Sequence, residues 1–115
     1  MALRAWARTI FSAAGSPGTT ARRGFTAGLD TAVGRVTYTL DRPVDRTEAC
    51  TLCSWVHAGV GTGIACAPLA SGTIEADIAS GDTTVEVRMR QSSGATADPA
   101  IGTGFCVAVF DNIGG

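Results

Sequence analysis

The chain has 115 residues, and nine basic against ten acidic side chains leave a formal net charge of −1 at pH 7. A chain of this length is expected to form one domain, residues 1–115, around one core, without needing metal or disulfides to fold. The near-neutral balance excludes a nucleic-acid binder that works through a large basic field.

The first 25 residues carry Arg4, Arg8, Arg22 and Arg23 with several Ser and Thr and no acid, which is the composition of an organellar transit peptide. A competing reading is structural: Leu3-Ala5-Ala7 alternate with Arg4-Trp6-Arg8, the two unlike faces of a strand. Arg4 and Arg8 interrupt every apolar stretch, so no secretory h-region is present, and no run approaches the ~18 apolar residues of a membrane span. The expectation is a soluble chain without a cleaved signal, whose first strand covers residues 2–11 and is closed by the turn Gly15-Ser16-Pro17-Gly18.

A short second strand is expected over Arg22–Ala27, and a strong one over Arg35–Leu40, opened by Val33-Gly34 and ended by Asp41-Arg42-Pro43-Val44-Asp45. Further strands are expected over Cys50–Ala58, Ile64–Leu69, Gly72–Ile78, Val85–Arg90 and Phe105–Phe110. Between them, Gly59-Val60-Gly61-Thr62-Gly63 reads as a loop, Ser80-Gly81-Asp82 as a turn and Ser92–Pro99 as a connection. Many short strands at this spacing predict an all-β, antiparallel β-sandwich of jelly-roll type.

The four cysteines, Cys50, Cys53, Cys66 and Cys106, raise metal and redox chemistry. Within an extended run, the offset of three puts Cys50 and Cys53 on opposite faces, and no second Cys-x-x-Cys pair follows. Cys106, between Phe105 and Val107, and Cys66, between Ala65 and Ala67, sit where a cysteine acts as a small buried hydrophobe, and a Cys66–Cys106 disulfide stays open. His57 is the one histidine, and no nucleophile and orienting acid accompany it. The glycine loop lacks the Lys-Ser/Thr of a phosphate cradle. Glu75 and Asp77 share a strand face with Thr73 and read as solvated or interface positions. No enzyme, cofactor or metal site is expected. Small residues such as Ala76, Cys106 and Ala108 would let either the second sheet or another subunit pack closely.

Four segments in order carry a resemblance: Arg4-Ala5-Trp6-Ala7, Arg23-Gly24-Phe25-Thr26, Gly34-Arg35-Val36-Thr37-Tyr38-Thr39-Leu40-Asp41-Arg42-Pro43-Val44 and Gly104-Phe105-Cys106-Val107-Ala108-Val109-Phe110. Together they resemble the small β domains of tailed-phage virion proteins, which open on a Lys/Arg-Ala-Trp strand and close on a Phe-x-Phe-Ala-Val-Phe strand. The chain departs from that pattern at Thr26, where the family carries Asn, and in its Cys-rich strand from Cys50. The resemblance implies a trimeric or otherwise oligomeric β-sandwich on a phage-like particle, with the major capsid or another virion protein as partner and no nucleic acid or membrane.

Two roles follow from the resemblance. As a capsid decoration or cement protein, the chain would use Arg4, Trp6, Arg8, Arg22 and Arg23 against an acidic capsid surface. As a fibre or spike tip, it would offer Trp55, His57, Thr62, Ser92 and Ser93 to a host glycan or receptor, since sugars stack on exposed aromatics. A β protein holding metal through its cysteines and His57 is a third possibility.

Overall fold

A computed structural model describes residues 2–13, 16–57, 73–79, 81–91, 93–97 and 103–111. Eight strands form two packed four-stranded sheets, a β-sandwich: β1 (Ala2–Ala13), β2 (Ser16–Arg23), β3 (Phe25–Ala32), β4 (Arg35–Leu40), β5 (Cys50–His57), β6 (Thr73–Ile78), β7 (Thr84–Arg90) and β8 (Thr103–Asp111). The order is β2-β1-β8-β5 in sheet A and β3-β4-β7-β6 in sheet B, with every pairing antiparallel. Of these eight strands among the described residues, the first and last are neighbours at the centre of sheet A.

The Arg-bearing N-terminal segment belongs to this fold. Ala5 and Ala7 on β1 are fully buried, and β1 pairs on both sides, with β2 and with β8. The expected boundary after it shifts: Ser16, Pro17 and Gly18 already pair with β1, with Pro17 on an edge strand, where its missing N–H is tolerated. The single strand expected over Arg22–Ala27 is two strands in different sheets. Gly24 divides them with φ +80, and a Cβ there would sit 2.4 Å from the Arg4 carbonyl oxygen, so only glycine lets the chain cross between sheets at this point.

Strands β4, β6, β7 and β8 fall within a residue or two of their expected bounds. The expected turn before β7 has both Gly81 and Asp82 at positive φ. Ile64–Leu69 lies outside the described residues.

The core follows from the alternation. Sheet A contributes Ala5, Ala7 and Phe11 from β1 and Phe105, Val107 and Val109 from β8. Sheet B contributes Phe25, Val36, Tyr38, Leu40, Ile78, Val85, Val87 and Met89. Tyr38 stands between Phe25 (ring centroids 4.9 Å apart) and Phe105 (6.3 Å, edge to face), an arrangement aromatic rings favour beyond their burial. The sheets also join at one side, where the Thr51 hydroxyl on β5 donates to the Ala76 carbonyl on β6 at 2.8 Å.

Candidate functional face

The two outward faces differ in chemistry. On sheet B the outward residues are polar: Thr37 and Thr39 from β4, Glu86, Arg88 and Arg90 from β7, and Glu75 and Asp77 from β6. Arg88 is their hub, reaching Glu86 at 2.5 Å, Glu75 at 3.3 Å and Asp77 at 3.8 Å, while Arg90 reaches Glu75 at 3.4 Å. The Glu86 hydrogen bond, aided by the carboxylate charges, holds the Arg88 guanidinium above its ordinary pKa. Glu75 and Asp77 are thus exposed members of an ion-pair lattice around Arg88 and Arg90.

Sheet A turns a different surface outward. Its register sets residues side by side across three strands: Leu3, Phe110 and Cys50; Trp6, Ala108 and Leu52; Arg8, Cys106 and Ser54; Ile10, Gly104 and Val56. Directly paired residues share a face, so these rows make an apolar outer surface on which Leu52 is 62% exposed, Leu3 52% and Trp6 36%. Among the described residues its charges are all positive. Arg4 lies at the irregularity between Leu3 and Ala5, Arg8 sits mid-face and half-buried, and Arg23 pairs with Trp6 on the β2 side. Arg22 pairs with inward-facing Ala7 and is exposed only because β2 is an edge. The arginine set is therefore split, with Trp6, Arg8 and Arg23 on one side of the sheet, Arg22 on the other and Arg4 at the β1 irregularity.

An open depression of about 360 Å³ lies on this surface between Trp6 and Leu52, bordered by Ser54, Cys106 and Ala108. Gly104 sets the local geometry of β8: a Cβ there would come within 1.8 Å of the Thr9 carbonyl oxygen.

The cysteines separate as the period-two geometry requires. Cys50 is exposed and Cys53 packs against the core. Burial, with the Glu75 charge adding to it, pushes the Cys53 thiol up from its ordinary pKa. Cys106 is not the core hydrophobe its neighbours suggested, because Phe105 and Val107 take the inward positions and leave it half-buried on the outer face. Ala76, by contrast, packs into the molecule's own core, so the small residues serve both kinds of packing. Cys66 lies outside the described residues, and Cys53 and Cys106 are free thiols. Among the described residues no group of three or more His, Cys, Asp or Glu could hold a metal ion, and no helix is long and apolar enough to cross a membrane.

Three of the residues expected at a receptor-contacting loop are described. Trp55 packs partly buried against the core opposite Phe105, His57 is the last residue of β5 opposite Thr103, and Ser93 is exposed in the connection that folds back on β7. Thr62 and Ser92 lie outside the described residues. What sequence reasoning missed is Leu52, Cys106 and Ala108 as neighbours of Trp6, since strand adjacency is decided at long range.

Neither protein-family models, curated proteins nor solved structures yield any match to this chain.

Proposed function

We propose that this chain is a non-enzymatic structural protein of a phage-like particle, a capsid decoration protein that assembles on the outer shell as a homotrimer and attaches through the outer face of sheet A. The observation that carries this reading is the unequal dressing of the two sheets. Sheet B closes its outer face with threonines and ion pairs, as a solvent-facing sheet does, whereas sheet A leaves Leu3, Trp6, Leu52 and Phe110 outward together. A contiguous apolar surface of this kind on a small domain marks an interaction site, and arginines at its side suit an acidic protein partner. The four-segment resemblance to virion β domains supplies the setting.

Two measurements test the reading. Immunogold labelling of purified particles is expected to decorate heads. Label on tails would move the protein to a fibre tip, and absence of label from particles would overturn the proposal. Light scattering is expected to return a trimer mass that reductant leaves unchanged.

A further inference from the structure

Among the described strands each sheet ends in two edges, β2 and β5 in sheet A and β3 and β6 in sheet B, and the edges are not equally protected. An unpaired edge offers backbone N–H and C=O groups to any extended chain, and natural sheets blunt it with charge, proline, bulges or short length. β2 carries Pro17, Arg22 and Arg23 and two register shifts against β1. β3 has a register shift against β4 between Phe25 and Leu29. β6 is only six residues long and carries Glu75 and Asp77.

β5 has none of these devices. It pairs with β8 over eight consecutive residues without a register shift, and from Cys50 to Val56 it holds no charge, proline or glycine. In an antiparallel strand alternate residues aim N–H and C=O away from the partner. Among the described residues, no backbone group beyond β5 meets those aimed outward over Thr51–Val56. The strand also borders the attachment face, where Leu52 is 62% exposed. Its opposite side carries Cys53 and Trp55, both only partly buried.

We propose that an extended, uncharged segment of the particle protein adds to β5 over Thr51–Val56 as a further strand of sheet A, setting an apolar side chain beside Leu52 on the attachment face. The inference rests on the attachment reading above and names the form and chemistry of the segment the partner supplies. Directly paired residues share a face, so the added strand covers Leu52 from its open side. A charge at that position would leave water with no charge on β5 to meet it. Area decides between occupants. The six residues Thr51–Val56 span ~20 Å of an edge ~10 Å thick, so a second copy's β5 in the same place would bury only about 400 Å² over both chains, well short of the ~1,200 Å² of a stable interface. Such an isologous contact also closes as a pair and not as a trimer. A segment of a protein already held on the neighbouring apolar face needs no such area, because its strand then pairs as an intramolecular event.

The probe is an end-blocked peptide, Thr-Val-Thr-Val-Thr-Val, N-methylated at alternate residues so that one edge stays free and the peptide cannot stack into fibrils. It is compared with the same peptide N-methylated throughout, each titrated to millimolar concentration into the intact, isotope-labelled protein and followed by amide shifts and amide exchange. Shifts are expected within Thr51–Val56, with exchange of alternate amides there slowed about tenfold. The fully methylated peptide keeps the side chains but loses its hydrogen bonds, and is expected to bind more weakly by about tenfold or more. Glu in place of the middle Val is expected to weaken binding by about tenfold. Equal binding of the free-edged and fully methylated peptides, undiminished binding of the Glu peptide, shifts confined to other surfaces, no shifts at millimolar peptide, or slow exchange of every β5 amide in the isolated protein would overturn the proposal. A native mass that falls as the peptide is added would overturn it too, by naming a second copy's strand as the occupant. Leu3→Asp separates the two levels, since Leu3 is 52% exposed on β1, two strands from β5, and its replacement leaves the core intact. That variant is expected to be lost from particles and to keep the peptide shifts. Loss from particles with no peptide shift in either protein leaves the face standing and removes the added strand. If Leu3→Asp decorates particles like the parent protein, the attachment reading itself fails.

Discussion

The hydroxyls of Thr9 on β1 and Tyr38 on β4 hydrogen-bond to each other inside the core, tying the centre of sheet A to the centre of sheet B across 29 residues of sequence. Both residues are essentially without solvent contact, so this polar link is set where water cannot compete for it. A buried hydrogen bond of this kind contributes about 1 kcal/mol net, and it also restricts which relative positions of the two sheets satisfy both groups. Thr9→Val and Tyr38→Phe are each expected to lower stability by about 1–2 kcal/mol. The double variant is expected to lose less than the sum, by a coupling of about 1 kcal/mol. Urea unfolding of the four proteins at constant m measures the cycle, and strict additivity would show that the link contributes nothing.

Two glycines are expected to respond very differently to alanine. At Gly104 the new methyl would overlap the Thr9 backbone carbonyl, which belongs to a paired strand and has nowhere to go. Gly104→Ala should therefore cost about 3 kcal/mol, near the upper end of ordinary overpacking. At Gly94, φ is +90 but nothing lies within 4 Å, so Gly94→Ala meets only backbone strain, about 1 kcal/mol. Thermal denaturation of the two variants should rank them in that order.

Arg88 gathers three carboxylates on the outer face of sheet B, but its side chain is about a third exposed, and solvent screening discounts each pair. Arg88→Gln is expected to lower stability by about 1 kcal/mol at low ionic strength. Most of that difference should disappear in 1 M salt, where the Debye length is only ~3 Å. A difference indifferent to salt would assign the effect to packing of the arginine stem instead.

Thr47 donates to the Asp45 carboxylate from its hydroxyl at 2.6 Å and from its backbone N–H at 2.9 Å. These bonds, the hydroxyl first, hold the Asp45 carboxyl below the ordinary aspartate range. A folded value below the unfolded one means the charged form is favoured by folding. The contribution is then fully present above the ordinary aspartate range and is lost as pH falls through the lowered folded value. Carboxyl chemical shifts followed through an acid titration should show Asp45 titrating below the ordinary aspartate range. In Thr47→Val it should move upward.

The thiols should alkylate in a fixed order. Cys50 is exposed, while Cys53 faces the core with its thiol pushed up by burial and so holds less thiolate at neutral pH. Iodoacetamide labelling of the folded protein, read by peptide mass, is expected to modify Cys50 well before Cys53. Equal rates would mean that β5 opens on the labelling timescale.

Much of the local architecture was legible in sequence. The runs at Arg35–Leu40, Thr84–Arg90 and Gly104–Phe110 alternate so regularly that strand identity, and the sharing of one face by Val36 with Tyr38, Val85 with Val87 and Phe105 with Val107, follow from period two alone. The same rule placed Cys50 and Cys53 on opposite faces. It failed where punctuation was ambiguous. Arg22–Ala27 has the composition of one strand, and only the contact between Gly24 and the Arg4–Ala5 backbone reveals that the chain changes sheets there.

The candidate site was less legible than the fold. Trp6 and its neighbouring arginines stood out by type, but nothing in the sequence sets Trp6 beside Ala108 and Leu52, residues about 100 and 50 positions away. Within one strand the sequence decides which side chains share a face, because alternation is a local property of the backbone. Which face turns inward, which strands lie side by side and which apolar residues are left outward were decided only by tertiary structure. Those outcomes depend on sheet pairing and sandwich packing, where long-range burial chooses among locally equivalent arrangements.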